Sequence, residues 1–211
     1  MWSGAILAGG QARRLGGQDK SAFLVEGVSI LDRQLASLRG VAETIVLVGF
    51  RGSHPAPCPV VDDLRPGTGP LGALFTALAT ATTDRVLVVA GDMPYVTAAF
   101  FKYLAEVNPA SSAVIPETDG RWHPLCAMYA RSAAGFIEAA LDRGERAVTS
   151  VVAGLNPHLV GRNELARFDG DGRLLANLNT PGDLVRWCAQ SAAPDGGKRT
   201  APPETSQTTT R

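Results

Sequence analysis

A glycine-rich, basic segment follows a short apolar run near the start of the chain. Residues 7–20 read LAGGQARRLGGQDK and contain four glycines, two arginines and one lysine. Glycines let backbone N–H groups approach an anion closely, and Arg14 and Lys20 can neutralise phosphate charge that those groups satisfy only in part. The alternative is a plain turn between a strand and a helix, which does not require these basic side chains. We therefore predict that this segment binds phosphate.

The spacing of the glycines excludes two better-known phosphate loops. A P-loop needs lysine directly after glycine, but Asp19 precedes Lys20 in this chain. The dinucleotide fingerprint needs G-x-G-x-x-G, whereas Gly9 and Gly10 are adjacent and the next glycine is Gly16. The segment is therefore neither a P-loop nor a dinucleotide-binding turn.

A carboxylate follows the most hydrophobic run of the chain. Residues 86–90 read VLVVA and are followed by Gly91 and Asp92. Magnesium is often held by one or two carboxylates together with phosphate oxygens, so a carboxylate at the end of a buried strand, close to bound phosphates, suits this ion. The alternative is that Asp92 caps a helix near Thr97. We predict that Asp92 binds Mg²⁺.

Two further aspartates precede a turn rich in glycine and proline. Asp62 and Asp63 end a short apolar run, and only one of them can face the ligand, because adjacent side chains of an extended chain alternate. Asp63 is favoured, since it begins the stretch DLRPGTGPL, which ends in Gly69, Pro70 and Leu71 and would deliver backbone groups to a base or ribose. The alternative is a solvated pair in a turn.

Two asparagines alternate in the segment NLNTP. Asn177 and Asn179 can therefore present their amides to one face of an extended chain, where they would suit a neutral heterocycle. The competing interpretation makes Asn179 or Thr180 the N-cap of a helix that begins at Pro181, and both interpretations can hold together. His123 is interpreted as structural, and no acid or base role is assigned to it.

The elements that must position these residues alternate along the chain. Apolar runs predict strands at 5–7, 45–48, 60–61, 86–90, 113–115 and 125–129, and helical apolar spacing predicts helices at 30–38, 71–79, 97–104 and 133–141. This pattern predicts an α/β fold of three layers, in which helices cover both faces of a mainly parallel sheet. Ligands of such sheets bind beyond the carboxyl ends of the strands, so the loops after Leu7, Val61 and Ala90 are predicted to surround one nucleotide.

Length and composition favour a single folded domain. The chain has 211 residues, 45% of them hydrophobic, so residues 1–190 are predicted to form one domain. Residues 191–211 are rich in Ala, Pro, Gly and Thr and are predicted to be a disordered tail. The 20 basic and 20 acidic residues give a formal net charge of +0, which argues against a nucleic-acid or anionic-membrane surface. We see neither a secretory signal nor a transmembrane stretch, so we predict a cytoplasmic protein.

These motifs, taken together, resemble those of molybdenum cofactor guanylyltransferases, which have a nucleotide-diphospho-sugar transferase-like (Rossmann-like) fold. The resemblance runs from about Gly4 to Trp187 and includes LAGGQARRLGGQDK, DLRPGTGPL, GDMP, HPLCAMY and NLNTPGD. It implies transfer of GMP from GTP to the terminal phosphate of molybdopterin, with release of pyrophosphate and with Mg²⁺ as cofactor. It also makes molybdenum-insertion proteins, apo-molybdoenzymes and their chaperones the candidate protein partners.

The resemblance implies roles for individual residues. Arg14, Lys20 and Asp92 are the implied catalytic residues, and Asp92 is also the implied metal ligand. Two positions depart from the family pattern: Ala73 stands where the family often has glycine, and Gly49 lies near a position that is asparagine in some members. The implied nucleotide-binding residues are Leu7, Ala8, Gly9, Gly10, Lys20, Asp62, Asp63, Gly69, Pro70, Leu71 and Asp92, and the implied pterin-binding residues are Asn177 and Asn179.

Three alternative functions remain beside this one. A related nucleotidyltransferase that uses CTP is disfavoured by Gly10 and by the GPL triplet at 69–71, because related cytidylyltransferases resemble LAAG and lack that triplet. An enzyme with a sugar-phosphate acceptor is disfavoured by the short chain and by the NLN segment at 177–179. A catalytically silent nucleotide-binding adaptor for cofactor delivery is disfavoured by the presence of Lys20 and Asp92.

Overall fold

One central sheet organises the described residues. The computed structural model describes residues 1–9, 23–52 and 55–178. The strands are β1 Ser3–Leu7, β2 Leu24–Val25, β3 Val28–Ser29, β4 Thr44–Val48, β5 Val60–Val61, β6 Arg85–Ala90, β7 Ala113–Thr118, β8 Arg121–Trp122, β9 Cys126–Ala130 and β10 His158–Val160. The helices are α1 Ile30–Arg39, α2 Pro70–Ala79, α3 Ala98–Glu106, α4 Ala133–Asp142, α5 Val148–Ala153 and α6 Arg162–Leu165.

The strand order explains why several loops meet at one edge. The main sheet has the order β10-β7-β9-β6-β1-β4-β5, with β8 paired to β7, and β2 and β3 form a separate hairpin. Strand β1 pairs in parallel with both β4 and β6, and β4 pairs in parallel with β5. Strand β9 lies antiparallel between β6 and β7. The loops after β6, β1, β4 and β5 therefore leave the sheet along the same edge.

Helices cover both faces of the sheet, and β1 shows the effect on the sequence. All five residues of β1 are buried. Ala5 and Leu7 pack in the apolar cluster under α2 and α4, whereas Ile6 packs in the cluster under α1 and α3. Because successive strand side chains point to opposite faces, a strand covered on both sides reads as a continuous apolar run. The predicted three-layer α/β fold is therefore confirmed.

The predicted strands and helices all occur, with ends that differ by a few residues. The β2–β3 hairpin, β8, β10, α5 and α6 were not predicted. The two helices among them have six and four residues, which is too short to show a helical apolar period. The predicted domain end at residue 190 and the predicted tail 191–211 lie outside the described residues. Within the described ranges, no helix has the length and apolar character needed to cross a membrane.

Candidate active site

The residues directly after β1 and β6 donate backbone hydrogen bonds to the last residue of the neighbouring strand. The N–H groups of Ala8 and Gly9 both donate to the carbonyl of Val48, each at 3.0 Å. On the other side, the N–H of Gly91 donates to the carbonyl of Leu7 at 3.0 Å. The start of the glycine-rich segment is therefore held between the loop that ends β4 and the loop that carries Asp92.

Close backbone approach at this edge requires glycine. A Cβ on Gly91 would lie 3.1 Å from the carbonyl oxygen of Leu7, and a Cβ on Gly49 would lie 3.1 Å from the Cα of Gly9. Gly49 also has a φ of +67°, which strains residues with a side chain. The departure from the family pattern at Gly49 thus coincides with a tight contact between two loops.

The apolar residues of the glycine-rich segment and of the DLRPGTGPL stretch belong to the core. The side chain of Leu7 is 7% exposed and that of Leu71 is fully buried, so either residue can offer a ligand its backbone only. Gly69 is the N-cap of α2 and Pro70 begins the helix, and both are exposed. Ala73 lies in the same helix with its methyl group in the core. Contacts from this motif to a base or ribose would therefore come from the start of α2.

The two aspartates after β5 point in different directions. Asp62 is exposed and pairs with Arg51 at 2.8 Å, and since both side chains are about three quarters exposed the pair contributes little stability. Asp63 is half-buried, and its Oδ1 accepts hydrogen bonds from the N–H of Arg65 at 3.0 Å and from Oγ1 of Thr76 at 3.1 Å. Asp63 therefore connects its loop to α2, whereas Asp62 lies at the surface.

Thr76→Val is expected to lower the free energy of unfolding by about 1–3 kcal/mol, because the hydroxyl that accepts from the N–H of Leu64 at 3.0 Å is fully buried. Valine keeps the shape but leaves that N–H and Asp63 without this partner. Urea unfolding measures the change. Thr80→Val, at the C-cap of the same helix, is the matched control: its half-buried hydroxyl only donates to the carbonyl of Thr76 at 2.8 Å, so this variant should lose less than about 1 kcal/mol. Equal losses in both variants would contradict the role given to Thr76.

Asp92 and Asn177 are brought together although they are 85 positions apart. The amide Nδ2 of Asn177 donates to Oδ1 of Asp92 at 3.0 Å, and the N–H of Leu178 donates to the carbonyl of Asp92 at 2.8 Å. The alternative in which Asp92 caps the next helix is wrong, because Thr97 is the N-cap of α3 and accepts from the N–H of Phe100 at 3.3 Å. The predicted metal residue thus contacts a predicted pterin residue.

Arg173 attaches the segment that carries Asn177 to the rest of the site. Its guanidinium lies 4.8 Å from the ring centroid of Tyr95, in the loop after β6. It also pairs with Asp171 at 2.5 Å and with Glu26 of the β2–β3 hairpin at 3.6 Å. The hydrogen bond from Arg173 lowers the pKa of the Asp171 carboxyl below its ordinary value. These contacts hold the segment beside the Asp92 loop.

His123 has the surroundings of a structural residue. Its Nε2 lies 2.7 Å from Oγ1 of Thr118, and its N–H donates to the carbonyl of Pro116 at 2.9 Å. Burial, followed by the positive charge of Arg121, lowers the pKa of the imidazole. The ring is therefore neutral near pH 7, and both contacts connect the end of the β7–β8 hairpin to β7.

The donor atoms of the described residues fit a magnesium ion that shares its ligands with phosphates. Among residues 1–9, 23–52 and 55–178, no three His, Cys, Asp or Glu side chains group into a metal site. Asp92 offers one half-buried carboxylate that Asn177 orients. Mg²⁺ is often held by one or two carboxylates, with phosphate oxygens and water as the other ligands. Four predicted site residues, Gly10, Arg14, Lys20 and Asn179, lie outside the described residues.

Comparison with known proteins identifies the family. The family model described as the MobA-like NTP transferase domain matches residues 4–158. The chain belongs to the MobA-like NTP transferase family. It is therefore a nucleotidyltransferase, as predicted. A protein of this family from Chloroflexus aggregans, described as "Probable molybdenum cofactor guanylyltransferase", is 34% identical over 191 residues, which cover 87% of this chain and 92% of that protein.

Solved structures agree with the MobA-like assignment. The crystal structure of molybdopterin-guanine dinucleotide biosynthesis protein A from Archaeoglobus fulgidus is 28% identical, with a TM-score of 0.75 over 89% of this chain and 99% of that chain. The 2-C-methyl-D-erythritol 4-phosphate cytidylyltransferase from Thermus thermophilus is 17% identical, with a TM-score of 0.65 over 90% and 98% of the two chains, and this likeness shows the fold alone. The predicted resemblance to molybdenum cofactor guanylyltransferases is confirmed.

Three residues that hold the site loops of this MobA-like chain were missing from the sequence analysis: Gln34, Thr76 and Arg173. A signal existed for the first. Gln34 lies between Ile30 and Leu38 at helical spacing, so it is a polar residue on the apolar face of a predicted helix. Arg173 had no such signal, because its partners come from two distant loops.

Proposed function

We propose that this protein transfers GMP from GTP to the terminal phosphate of molybdopterin and releases pyrophosphate, which yields molybdopterin guanine dinucleotide. The observation that carries the proposal is the 3.0 Å hydrogen bond from Asn177 to Asp92. In the family resemblance, Asp92 belongs to the metal and nucleotide side and Asn177 to the pterin side. Transfer between two phosphates requires donor and acceptor to be held next to each other, and this contact joins the two sides.

The chemistry asks for positioning and charge rather than for a protein nucleophile. A phosphate oxygen of molybdopterin forms a bond to the α-phosphorus of GTP, and the bond from that phosphorus to the oxygen that bridges it to the β-phosphorus breaks, so pyrophosphate leaves with the electron pair. The acceptor phosphate is already ionised near neutral pH, so no general base is needed. A mechanism without a general base agrees with the structural contacts of His123, to which no acid or base role is assigned.

Charged side chains would stabilise the leaving group. Asp92 would hold Mg²⁺, which when bound supplies positive charge to phosphate oxygens. Arg14 and Lys20 would neutralise charge that gathers on the β- and γ-phosphates as pyrophosphate departs. Asn177 would orient the Asp92 carboxylate while it contributes to the pterin side.

Base selection is assigned to two backbone regions. Residues 7–10 and the start of α2 at 69–71 would contact guanine through their backbone, since Leu7 and Leu71 direct their side chains into the core. The Ala8 and Gly9 N–H groups and the Leu7 carbonyl already bond to the neighbouring segments, so other backbone groups would make these contacts. Backbone groups can read the donor and acceptor pattern of a base without a charged side chain. Gly10 and the GPL triplet at 69–71 together favour guanine over cytosine.

Pyrophosphate release tests the proposed function. The assay contains Mg²⁺ and either GTP or CTP, with molybdenum-loaded molybdopterin present or omitted. Release that requires both GTP and the pterin is the expected result. Preference for CTP would overturn the base assignment, and absence of release with either nucleotide would favour another acceptor or a silent nucleotide-binding adaptor.

Lys20→Ala is expected to weaken GTP binding about tenfold, because a charge-assisted contact to phosphate is lost. Titration calorimetry with GTP and Mg²⁺ measures the affinity. Lys102→Ala is the control, since Lys102 is an exposed lysine of α3. Equal GTP affinity in wild type and Lys20→Ala would count against a phosphate contact.

We also propose that the protein acts in the cytoplasm and passes its product to apo-molybdoenzymes or their chaperones, after molybdenum-insertion proteins have supplied the acceptor. The support is the family membership and the role of the named relatives. Co-purification of the protein with an apo-molybdoenzyme, compared in the presence and absence of GTP, tests the partner assignment. A complex whose yield does not depend on GTP or on the pterin would contradict product transfer.

A further inference from the structure

Gln34 is a polar side chain on the buried face of α1. It is 1% exposed, and the other buried residues of the helix are Ile30, Leu31, Leu35 and Leu38. An apolar residue of similar size would fill this position without the free-energy penalty of burying an amide. Packing alone therefore does not account for glutamine at this position.

The amide of Gln34 holds both ends of the turn that carries Asp92. Its Nε2 donates to the carbonyl of Ala90 at 2.7 Å and to the carbonyl of Met93 at 3.0 Å. The N–H of Met93 also donates to the carbonyl of Ala90 at 3.3 Å, which closes a four-residue turn with Gly91 and Asp92 at its centre. One side chain of a helix therefore holds the carbonyls on either side of the candidate metal residue.

A second residue of the same helix supports this loop. Ser37, three positions after Gln34 and thus on the same face, donates from Oγ to the carbonyl of Val96 at 2.8 Å. The helix itself has a capped start, because the side chain of Ser29 accepts from the N–H of Asp32 at 3.0 Å. The loop after β6 is thus attached to a regular element at two points.

Stability does not explain the glutamine. Its two donated hydrogen bonds contribute about 0.5–1.5 kcal/mol each, but its Oε1 is buried without a partner among the described residues, and such an atom costs about 1–3 kcal/mol. The two effects are of similar size and opposite sign. What the side chain does achieve is a defined geometry for the turn.

We infer that Gln34 is a positioning residue for metal binding: it fixes the turn at Gly91 and Asp92 so that the carboxylate meets the metal and the phosphates. The inference rests on the proposed function, in which Asp92 holds the ion. Asn177 and Leu178 hold Asp92 itself, through its carboxylate and its carbonyl. Gln34 acts on the backbone beside it, so the two sets of contacts together define the direction of the carboxylate.

Binding of Mn²⁺ in the presence of GTP tests this inference without turnover. Electron paramagnetic resonance follows the loss of the free Mn²⁺ signal as the purified protein is added, and no pterin is present. Gln34→Met keeps the length of the side chain and removes its donor, and we expect Mn²⁺ to bind about tenfold more weakly to this variant. Metal-free GTP binding, measured with EDTA, should not change.

Leu38→Val is the matched control, because it shortens another fully buried side chain of the same helix, one without a polar atom that could hold the carbonyls of the turn. It should lower stability in urea without changing Mn²⁺ affinity. Gln34→Glu is a second variant, in which an oxygen replaces the donor opposite two carbonyls, and it should weaken Mn²⁺ binding at least as much as Gln34→Met.

The outcomes separate the inference from the proposed function. If the wild type binds Mn²⁺ with GTP and both Gln34 variants bind it equally well, the inference is overturned and the proposed function stands. If the wild type binds no Mn²⁺, the metal assignment fails and the inference fails with it. If neither Gln34 variant folds while Leu38→Val does, Gln34 supports the whole fold rather than the metal turn, which also overturns the inference.

Discussion

Asp92→Asn is expected to reduce pyrophosphate release from GTP by about 10²- to 10³-fold while the protein stays folded. Asparagine has almost the same volume, and its Oδ1 can still accept the hydrogen bond that Asn177 donates at 3.0 Å. The substitution therefore removes the negative charge and little else. Initial rates at saturating GTP, molybdopterin and Mg²⁺ measure the effect, and urea unfolding checks that stability is kept.

The control for this substitution lies at the other end of the same strand. Asp84 is an exposed aspartate directly before β6, at the amino end of the strand. Asp84→Asn makes the same chemical change away from the proposed site and should leave the rate near that of the wild type. Full activity of Asp92→Asn at saturating Mg²⁺ would remove Asp92 from the metal site.

Asn177→Ala is expected to lower the rate about 10- to 10²-fold, because it removes a hydrogen bond to a charged group. Two readouts separate the two roles of Asn177. If it acts by orienting Asp92, the Mg²⁺ concentration for half-maximal rate rises, and if it contacts the pterin, the KM for molybdopterin rises. We expect both to rise. Asn163→Ala changes an exposed asparagine of α6 and is the control.

A double-mutant cycle measures the coupling between the two residues. Suppose that Asn177 acts by orienting the Asp92 carboxylate. The double variant Asp92→Asn with Asn177→Ala should then be little slower than Asp92→Asn alone, because the charged carboxylate that Asn177 orients is already absent. Effects that multiply independently would show that Asn177 acts through the pterin side alone.

Much of the fold could be predicted because the sheet is covered on both faces. Strands β1 and β6 read as continuous apolar runs, and α1 to α4 show helical apolar spacing. The direction of β9 could not be predicted from its apolar run. It lies antiparallel to β6 and β7, and strand direction depends on partners that are remote in sequence. The tight turn at Asp119 and Gly120 between β7 and β8 reverses the chain, and β9 continues in that reversed direction beside β7.

The candidate site, like the fold, could be predicted from the sequence only in part. The positions of Leu7 and Asp92 at the carboxyl ends of adjacent strands follow from runs and turns that are readable in the chain. The alternation rule allows one of Asp62 and Asp63 to face inward, but it does not say which. In the tertiary structure Asp63 is half-buried, with its carboxylate 3.1 Å from the hydroxyl of Thr76 of α2, and Asp62 is exposed.

The family, the layered fold and the loops in which the chemistry lies could be predicted from the order of the residues, because local periodicity and ordered motifs carry that information. The contact between Asn177 and Asp92 and the hold of Gln34 on the turn at Asp92 became visible only in three dimensions. These contacts join residues more than fifty positions apart. They depend on how helices and the late segment of the chain pack against the sheet, and no local pattern of residue types encodes that packing.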